Sequence, residues 1–298
     1  MRTGAELSLS INYDSPCELR AFLDTKGLGM RKKYGQNFLV NSGARKKLLD
    51  ALLIKKGDAV WEIGPGLGAM TKGLLERGAN VTAFEIDPAF SRALKEIFGS
   101  AASFCLVEGD VLKTWPSLKH DGELFLFGNL PYNIAAALIA DFIEKGRLFG
   151  RMVVTVQREV AQRMAAKPGS SCYSSFSVLC SSVYKVKLLD VIKSASFYPE
   201  PRIDSQGVLL EKICDRGSFP KLFTPLVRSL FSSRRKTVRN TLSVFAASAI
   251  IEKEKTCREL AEEILIKAGV QGERRPETLD IEEFRVLAQI LEKMVSGV

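Results

Sequence analysis

Between residues 58 and 156, short apolar runs alternate with stretches whose apolar positions recur every three or four residues. The runs predict strands at 58–63, 80–85, 102–107, 123–128 and 150–156. The helical spacing predicts helices at 67–77, 88–98, 133–145 and 157–166. This strand–helix rhythm implies a parallel, doubly wound α/β sheet, since parallel neighbours need crossovers long enough to hold a helix. Ahead of it, Pro16 to Thr25 predicts a helix in a short N-terminal arm, and 31–39 is polar, basic and irregular. Ser42 is placed to cap a helix over 43–54, with Leu48, Leu49, Leu52 and Leu53 on one face. Past residue 170 the pattern changes. The runs 176–192 and 206–213 are β-rich, with no ten-residue helix between them, and predict an antiparallel pair closing the sheet. Asp215 to Ser218 is a linker, and 220–232, 234–247, 255–268 and 280–295 carry helical periodicity. The expected division is an arm at 1–30, an α/β domain at 31–215 and a small all-α domain at 216–298.

Composition bounds this outline. The 298 residues suffice for one large domain or two smaller ones, and 46% hydrophobic content supplies a full core. No apolar run approaches the ~18 residues of a membrane span. Residues 1–26 hold Glu6, Asp14, Glu18 and Asp24 and no apolar stretch, which argues against a signal or transit peptide and for a cytoplasmic protein. The six cysteines, at 17, 105, 172, 180, 214 and 257, show no CxxC and no metal-ligand spacing, so reduced thiols and no metal are expected. The single histidine, His120, argues against a Ser–His or Cys–His pair. A net charge of +9 and a pI near 9.2 favour a polyanionic partner. Nothing in the sequence demands more than a monomer.

Chemistry enters with the glycines. Glu62-Ile63-Gly64-Pro65-Gly66-Leu67-Gly68 follows a predicted strand and opens a helix, where glycine lets the backbone turn tightly and approach a ligand. Gly64-x-Gly66-x-x-Ala69 also fits a dinucleotide fingerprint, and Glu85, 21 residues after Gly64, suits a ribose diol. NAD and S-adenosylmethionine are tied at this point. Glu62 ahead of the loop, and Asp110 after the third strand, break the tie. Neither belongs to the dinucleotide fingerprint, and the arrangement resembles class I, Rossmann-like methyltransferases.

Asn129 follows the fourth strand in Phe127-Gly128-Asn129-Leu130-Pro131-Tyr132-Asn133-Ile134. Gly64, Glu85, Asp110 and Asn129 therefore fall at or just past the carboxyl ends of successive strands, where doubly wound sheets bind ligands. An aromatic amine is a poor nucleophile because its lone pair is delocalised. Carbonyl acceptors from Asn129 and the Leu130 backbone would favour its pyramidal form, Pro131 would fix the turn, and Tyr132 would stack on the base. The base must be single-stranded or flipped out.

Four blocks occur in order: Tyr34-Gly35-Gln36-Asn37-Phe38-Leu39, Glu62 to Gly68, Phe127 to Ile134, and Ser232-Ser233-Arg234-Arg235-Lys236-Thr237-Val238-Arg239-Asn240. With them the chain resembles the small-subunit ribosomal RNA adenine dimethyltransferases, the kasugamycin-sensitivity enzymes of bacteria, from about residue 16 to the C-terminus. The resemblance implies a class I, Rossmann-like, S-adenosylmethionine-dependent methyltransferase sheet with a small C-terminal all-α, RNA-binding domain. It implies two methyl groups on N6 of each of two adjacent adenines near the 3′ end of small-subunit rRNA, added during subunit biogenesis. By matching motif, Gln36, Asn37 and Leu39 line the donor site beside Glu62, Gly64, Gly66, Glu85, Asp110 and Asn129. Phe197, in Ser196-Phe197-Tyr198-Pro199-Glu200-Pro201, falls where the family stacks an aromatic on the adenine. Two stretches depart from the family: Ser171-Cys172-Tyr173-Ser174-Ser175, and Asp204-Ser205-Gln206-Gly207-Val208 in place of Asp-Ser-Ala-Val-Val.

Arg228, Arg234, Arg235, Lys236 and Arg239 fall within twelve residues without an acid, a candidate RNA contact, with Arg228, Arg235 and Arg239 spaced to share a face. Arg31, Lys32, Lys33, Arg45, Lys46 and Lys47 flank the donor segment. Three rivals remain: a large-subunit methyltransferase of the macrolide-resistance type, an assembly factor that keeps the fold without the activity, and an NAD oxidoreductase. Leu130 and the Arg-Arg-Lys block favour the small-subunit kind.

Overall fold

Turn and capping residues set where the elements begin. Ser15 accepts from the Glu18 N–H ahead of Pro16, and Asp87 accepts from Ala89 ahead of Pro88. In the computed structural model, which describes residues 11–30, 35–233, 235–249 and 256–296, the order is as follows. The first half holds α1 (Pro16–Thr25), β1 (Phe38–Leu39), α2 (Ser42–Leu52), β2 (Ala59–Ile63), α3 (Ala69–Glu76), β3 (Asn80–Glu85), α4 (Pro88–Phe98), β4 (Phe104–Glu108), α5 (Val111–Thr114), β5 (Leu124–Asn129) and α6 (Ala135–Glu144). Then come β6 (Arg151–Gln157), α7 (Arg158–Met164), α8 (Ser175–Val183), β7 (Tyr184–Ile192), β8 (Phe197–Tyr198), β9 (Ser205–Lys212), α9 (Phe223–Phe231), α10 (Val238–Ala249), α11 (Cys257–Ala268) and α12 (Ile281–Ser296). Of the residues singled out above, Glu6, Arg31, Lys32, Lys33, Tyr34 and Arg234 lie outside the described ones.

One compact unit takes the chain up to Asp141, with 148–161 and 186–212. Its seven-stranded sheet has the order β4-β3-β2-β5-β6-β9-β7. Strands β2 to β6 are parallel, and β9 runs antiparallel to β6. From β2 the chain steps outward to β3 and β4, then returns to β5 on the other side of β2. The carboxyl ends of β2 and β5 thus flank the point where strand order reverses, the usual ligand crevice of such sheets. Leu48, Leu49 and Leu52 of α2 pack on Val60, Val81, Phe127 and Val153 from four of the strands.

Three local expectations are corrected. The cap of α2 is Asn41, whose side chain accepts from the Ala44 N–H, and Ser42 is the first helical residue. The stretch 31–39 ends in a strand: β1 pairs antiparallel with β8, Phe38 facing Tyr198 and Leu39 facing Phe197. The run 176–192 is not one strand but α8 followed by β7. Ser174 and Ser177 form a capping box there, and Val178, Leu179 and Val183 bury a helical face.

The second unit comprises 142–147, 162–185 and 213–298. Its core joins Val178, Phe223, Leu230, Leu242, Ile264 and Phe284 from five helices. Thr256 and Glu259 close a capping box on α11, and Gly269 ends that helix at φ +66°. No described helix is long and apolar enough to cross a membrane.

Candidate active site

Gly64, Gly66 and Gly68 leave β2 with φ of +68°, +59° and +86°. A Cβ on Gly66 would stand 2.8 Å from the Phe38 ring, and one on Gly68 would stand 2.2 Å from Phe98. The loop is therefore bare backbone held against aromatic side chains, at the end of β2. It borders a cleft that also takes in Gln36, Asn37, Leu39, Glu62, Glu85, Asp110, Asn129 and Pro131. The structure so brings every expected donor-site residue to one cleft, within the first unit.

The polar groups of the cleft are tethered. Glu85 accepts from the Asp87 N–H at 2.8 Å and from the Gly66 N–H at 3.3 Å, which ties the second strand end to the glycine loop. Burial pushes its carboxyl up to about 7, against the lowering effect of those N–H groups. Glu62 is 2% exposed and accepts from the Thr71 hydroxyl at 2.6 Å. Burial raises it too, to about 7; Thr71 opposes the rise and the Glu85 charge adds to it. Asp110 caps α5 through the Leu112 N–H. Gln36 donates to the fully buried Asp87 at 3.2 Å.

At the acceptor end, the Asn129 amide donates its Nδ2 hydrogen to the Asn37 backbone carbonyl at 2.8 Å. The Asn37 side chain donates to the Gly35 carbonyl. The Leu130 N–H donates to Thr155 at 3.1 Å, while its side chain is buried. The Pro131 carbonyl accepts from the Ile134 and Ala135 N–H groups and so starts α6. Tyr132 is half-buried, with its hydroxyl 2.8 Å from that of Ser205, and burial raises its pKa. Phe197 is 4% exposed and packs in the core with Leu39 and Leu209.

The basic cluster is divided. Arg228 on α9 pairs with Glu144. Arg239 on α10 pairs with Glu262 and Glu273, each at 2.7 Å. Arg235 and Lys236 are exposed in the turn between these helices, so Arg228, Arg235 and Arg239 do not share one helix. Near the donor segment, Arg45 is engaged with Leu39, Tyr13 and Asp14. Lys46 pairs with Asp50 and Lys47 with Asp190.

Five lining residues escaped the sequence reading: Met70, Ile86, Val111 and, from the arm, Leu19 and Tyr13. The Tyr13 hydroxyl bonds to Leu67, 54 positions away, and no local pattern announces such a contact.

A model of the ribosomal RNA adenine dimethylase family matches residues 27–286. "Ribosomal RNA small subunit methyltransferase A" of Treponema denticola is 44% identical over 286 residues, 94% of this chain and 96% of that protein. The protein of the same name from Borreliella burgdorferi is 40% identical over 287 residues, 96% and 97% of the two chains. A dimethyladenosine transferase from Plasmodium falciparum superposes with a TM-score of 0.72 at 27% identity, covering 85% of this chain and 97% of its own. The 23S rRNA methyltransferase ErmE has a TM-score of 0.62 at 21% identity over 85% of this chain and 99% of its own, a likeness of fold. A match spanning most of the chain, with relatives sharing two residues in five along nearly its full length, makes this protein a member of the ribosomal RNA adenine dimethylase family.

Proposed function

We propose that this enzyme dimethylates N6 of two adjacent adenines in the 3′-terminal hairpin loop of small-subunit rRNA, in an assembling small subunit, with S-adenosylmethionine as donor. The observation that carries the reading is the tethered Asn129 amide. With Nδ2 committed to the Asn37 carbonyl, Oδ1 is the atom left to accept an amine hydrogen at the rim of the cleft. The near full-length likeness to proteins named for the small subunit favours that substrate over large-subunit RNA.

The cleft suits the donor. In this reading Glu85 takes the ribose hydroxyls, Asp110 the adenine amine, and the bare glycine backbone the amino-acid end; all line the one cleft. When bound, the donor supplies a methyl group on a positively charged sulfur, which needs no acid to leave. The protein's own part is positioning and electrostatics. Asn129 and the Leu130 carbonyl would bond the amine hydrogens and favour its nucleophilic form. Tyr132, steadied by Ser205, would stack on the base. Phe197 joins it only if its packing around Leu39 opens. Arg235 and Lys236 are the exposed cations we assign to phosphate contact.

Asn129→Ala separates the two halves of the site. Methyl transfer to unmethylated small subunits should fall by about 100-fold or more, as for other lost transition-state hydrogen bonds. Binding of S-adenosylhomocysteine should change far less. Undiminished transfer by the variant would remove Asn129 from the reaction.

A further inference from the structure

The N-terminal arm forms a wall of the donor cleft, through Tyr13 and Leu19. Tyr13 is 9% exposed, and its hydroxyl donates to the Leu67 carbonyl inside the glycine loop at 2.9 Å. With the hydroxyl engaged there, what Tyr13 offers a ligand is its aromatic surface. Its electrostatic neighbours are Glu62 and Arg45: burial and the Glu62 carboxylate push the phenol up, and Arg45 pulls it down.

The arm is seated against this site. Leu19, Leu23 and Leu28 pack with Val40, Leu67 and Phe90 in one apolar cluster. The Arg45 guanidinium donates to the Leu39 carbonyl at 2.7 Å and to the Tyr13 carbonyl at 3.4 Å, and it also meets the Asp14 carboxylate. One side chain thus ties the arm to the segment that carries Gln36 and Asn37.

The order of strands says which part of the ligand lies nearest. Along the rim stand Asp110 after β4, Glu85 on β3, Gly64 after β2 and Asn129 on β5. A donor laid across them has its adenine by Asp110, its ribose by Glu85 and its amino-acid end by the glycine loop. Tyr13 touches that loop and neighbours Glu62 of the same strand. The amino-acid end carries an ammonium group, and an aromatic face attracts a cation.

We propose that Tyr13 is a donor-binding residue that closes the cleft over the amino-acid end of S-adenosylmethionine and sets a preference for ligands carrying that end. This rests on the cleft being the donor site. S-adenosylhomocysteine and 5′-methylthioadenosine share the adenosine, and only the first has the amino-acid end. Calorimetric titration of the full-length protein with each ligand is the test, using Tyr13→Leu and, as a milder change, Tyr13→Phe. Tyr13→Leu should weaken S-adenosylhomocysteine about tenfold and leave 5′-methylthioadenosine within about twofold, with Tyr13→Phe close to wild type. Equal weakening of both ligands, or of neither, would overturn the proposal and make Tyr13 a packing residue. Failure of the wild-type protein to bind either ligand would strike the donor-site reading first, and this proposal with it.

Discussion

Glu62 and Glu85 are the two carboxyls of the cleft whose titration burial shifts. Each is buried at or beside the end of a parallel strand, and each is pushed up to about 7 from an ordinary 4.5, chiefly by loss of solvent. The folded protein therefore holds protons that the unfolded chain releases between those values. The stability linked to them is complete below about pH 4.5 and is lost as pH rises through about 7. Glu62→Gln keeps an acceptor for Thr71 and removes one titrating group. The melting temperature of that variant should vary less between about pH 5 and pH 7 than that of the wild type. A parallel pair of profiles would show that Glu62 does not titrate there. A departure from the family pattern also has a cause at this scale. Gln206 donates to the Leu189 carbonyl at 3.0 Å, and a Cβ on Gly207 would stand 2.9 Å from Leu48 and 3.1 Å from Leu189. A glycine fits at 207 because neighbours on two elements fill the space.

At the scale of elements, what could be read in advance depended on whether one signal dominated. The parallel strands were legible because largely buried runs such as β3 have a helix of clear period on either side. Helix α1 was legible from Pro16 to Thr25, the bounds it takes, though the capping role of Ser15 was not read. Helix α8 was not, because serines, valines and a cysteine weaken its period and suggest a strand. Its capping box pairs two serines among several, Ser174 and Ser177, and so does not stand out in the sequence. The pairing of β1 with β8 joins two-residue strands across some 160 positions, beyond any local pattern. That pairing matters to the site. The segment around Asn37 lines the cleft, holds the Asn129 amide, and pairs through Phe38 and Leu39 with the strand bearing Phe197. The strand-end residues were visible in the sequence because each ends a regular strand. The tethers between them were not, since each joins residues far apart in the chain.

For the whole molecule, the charge of +9 points to RNA, but the basic residues differ in what they do. Arg228 and Arg239 are committed to carboxylates of their own unit, whereas Arg235 and Lys236 are exposed. Replacing Arg235 and Lys236 together by alanine should weaken RNA binding. It should also reduce the slope of log affinity against log salt by about 1 to 2. Arg239→Ala should instead lower the melting temperature of the protein. An unchanged salt slope in the double variant would leave that turn without a role in RNA binding. The most direct measurement of the account as a whole is incubation with labelled S-adenosylmethionine and unmethylated small subunits, followed by mapping of modified nucleosides. The account predicts N6,N6-dimethyladenosine at two adjacent positions of the 3′-terminal hairpin. Label confined to large-subunit RNA, or none in either subunit despite donor binding, would contradict it.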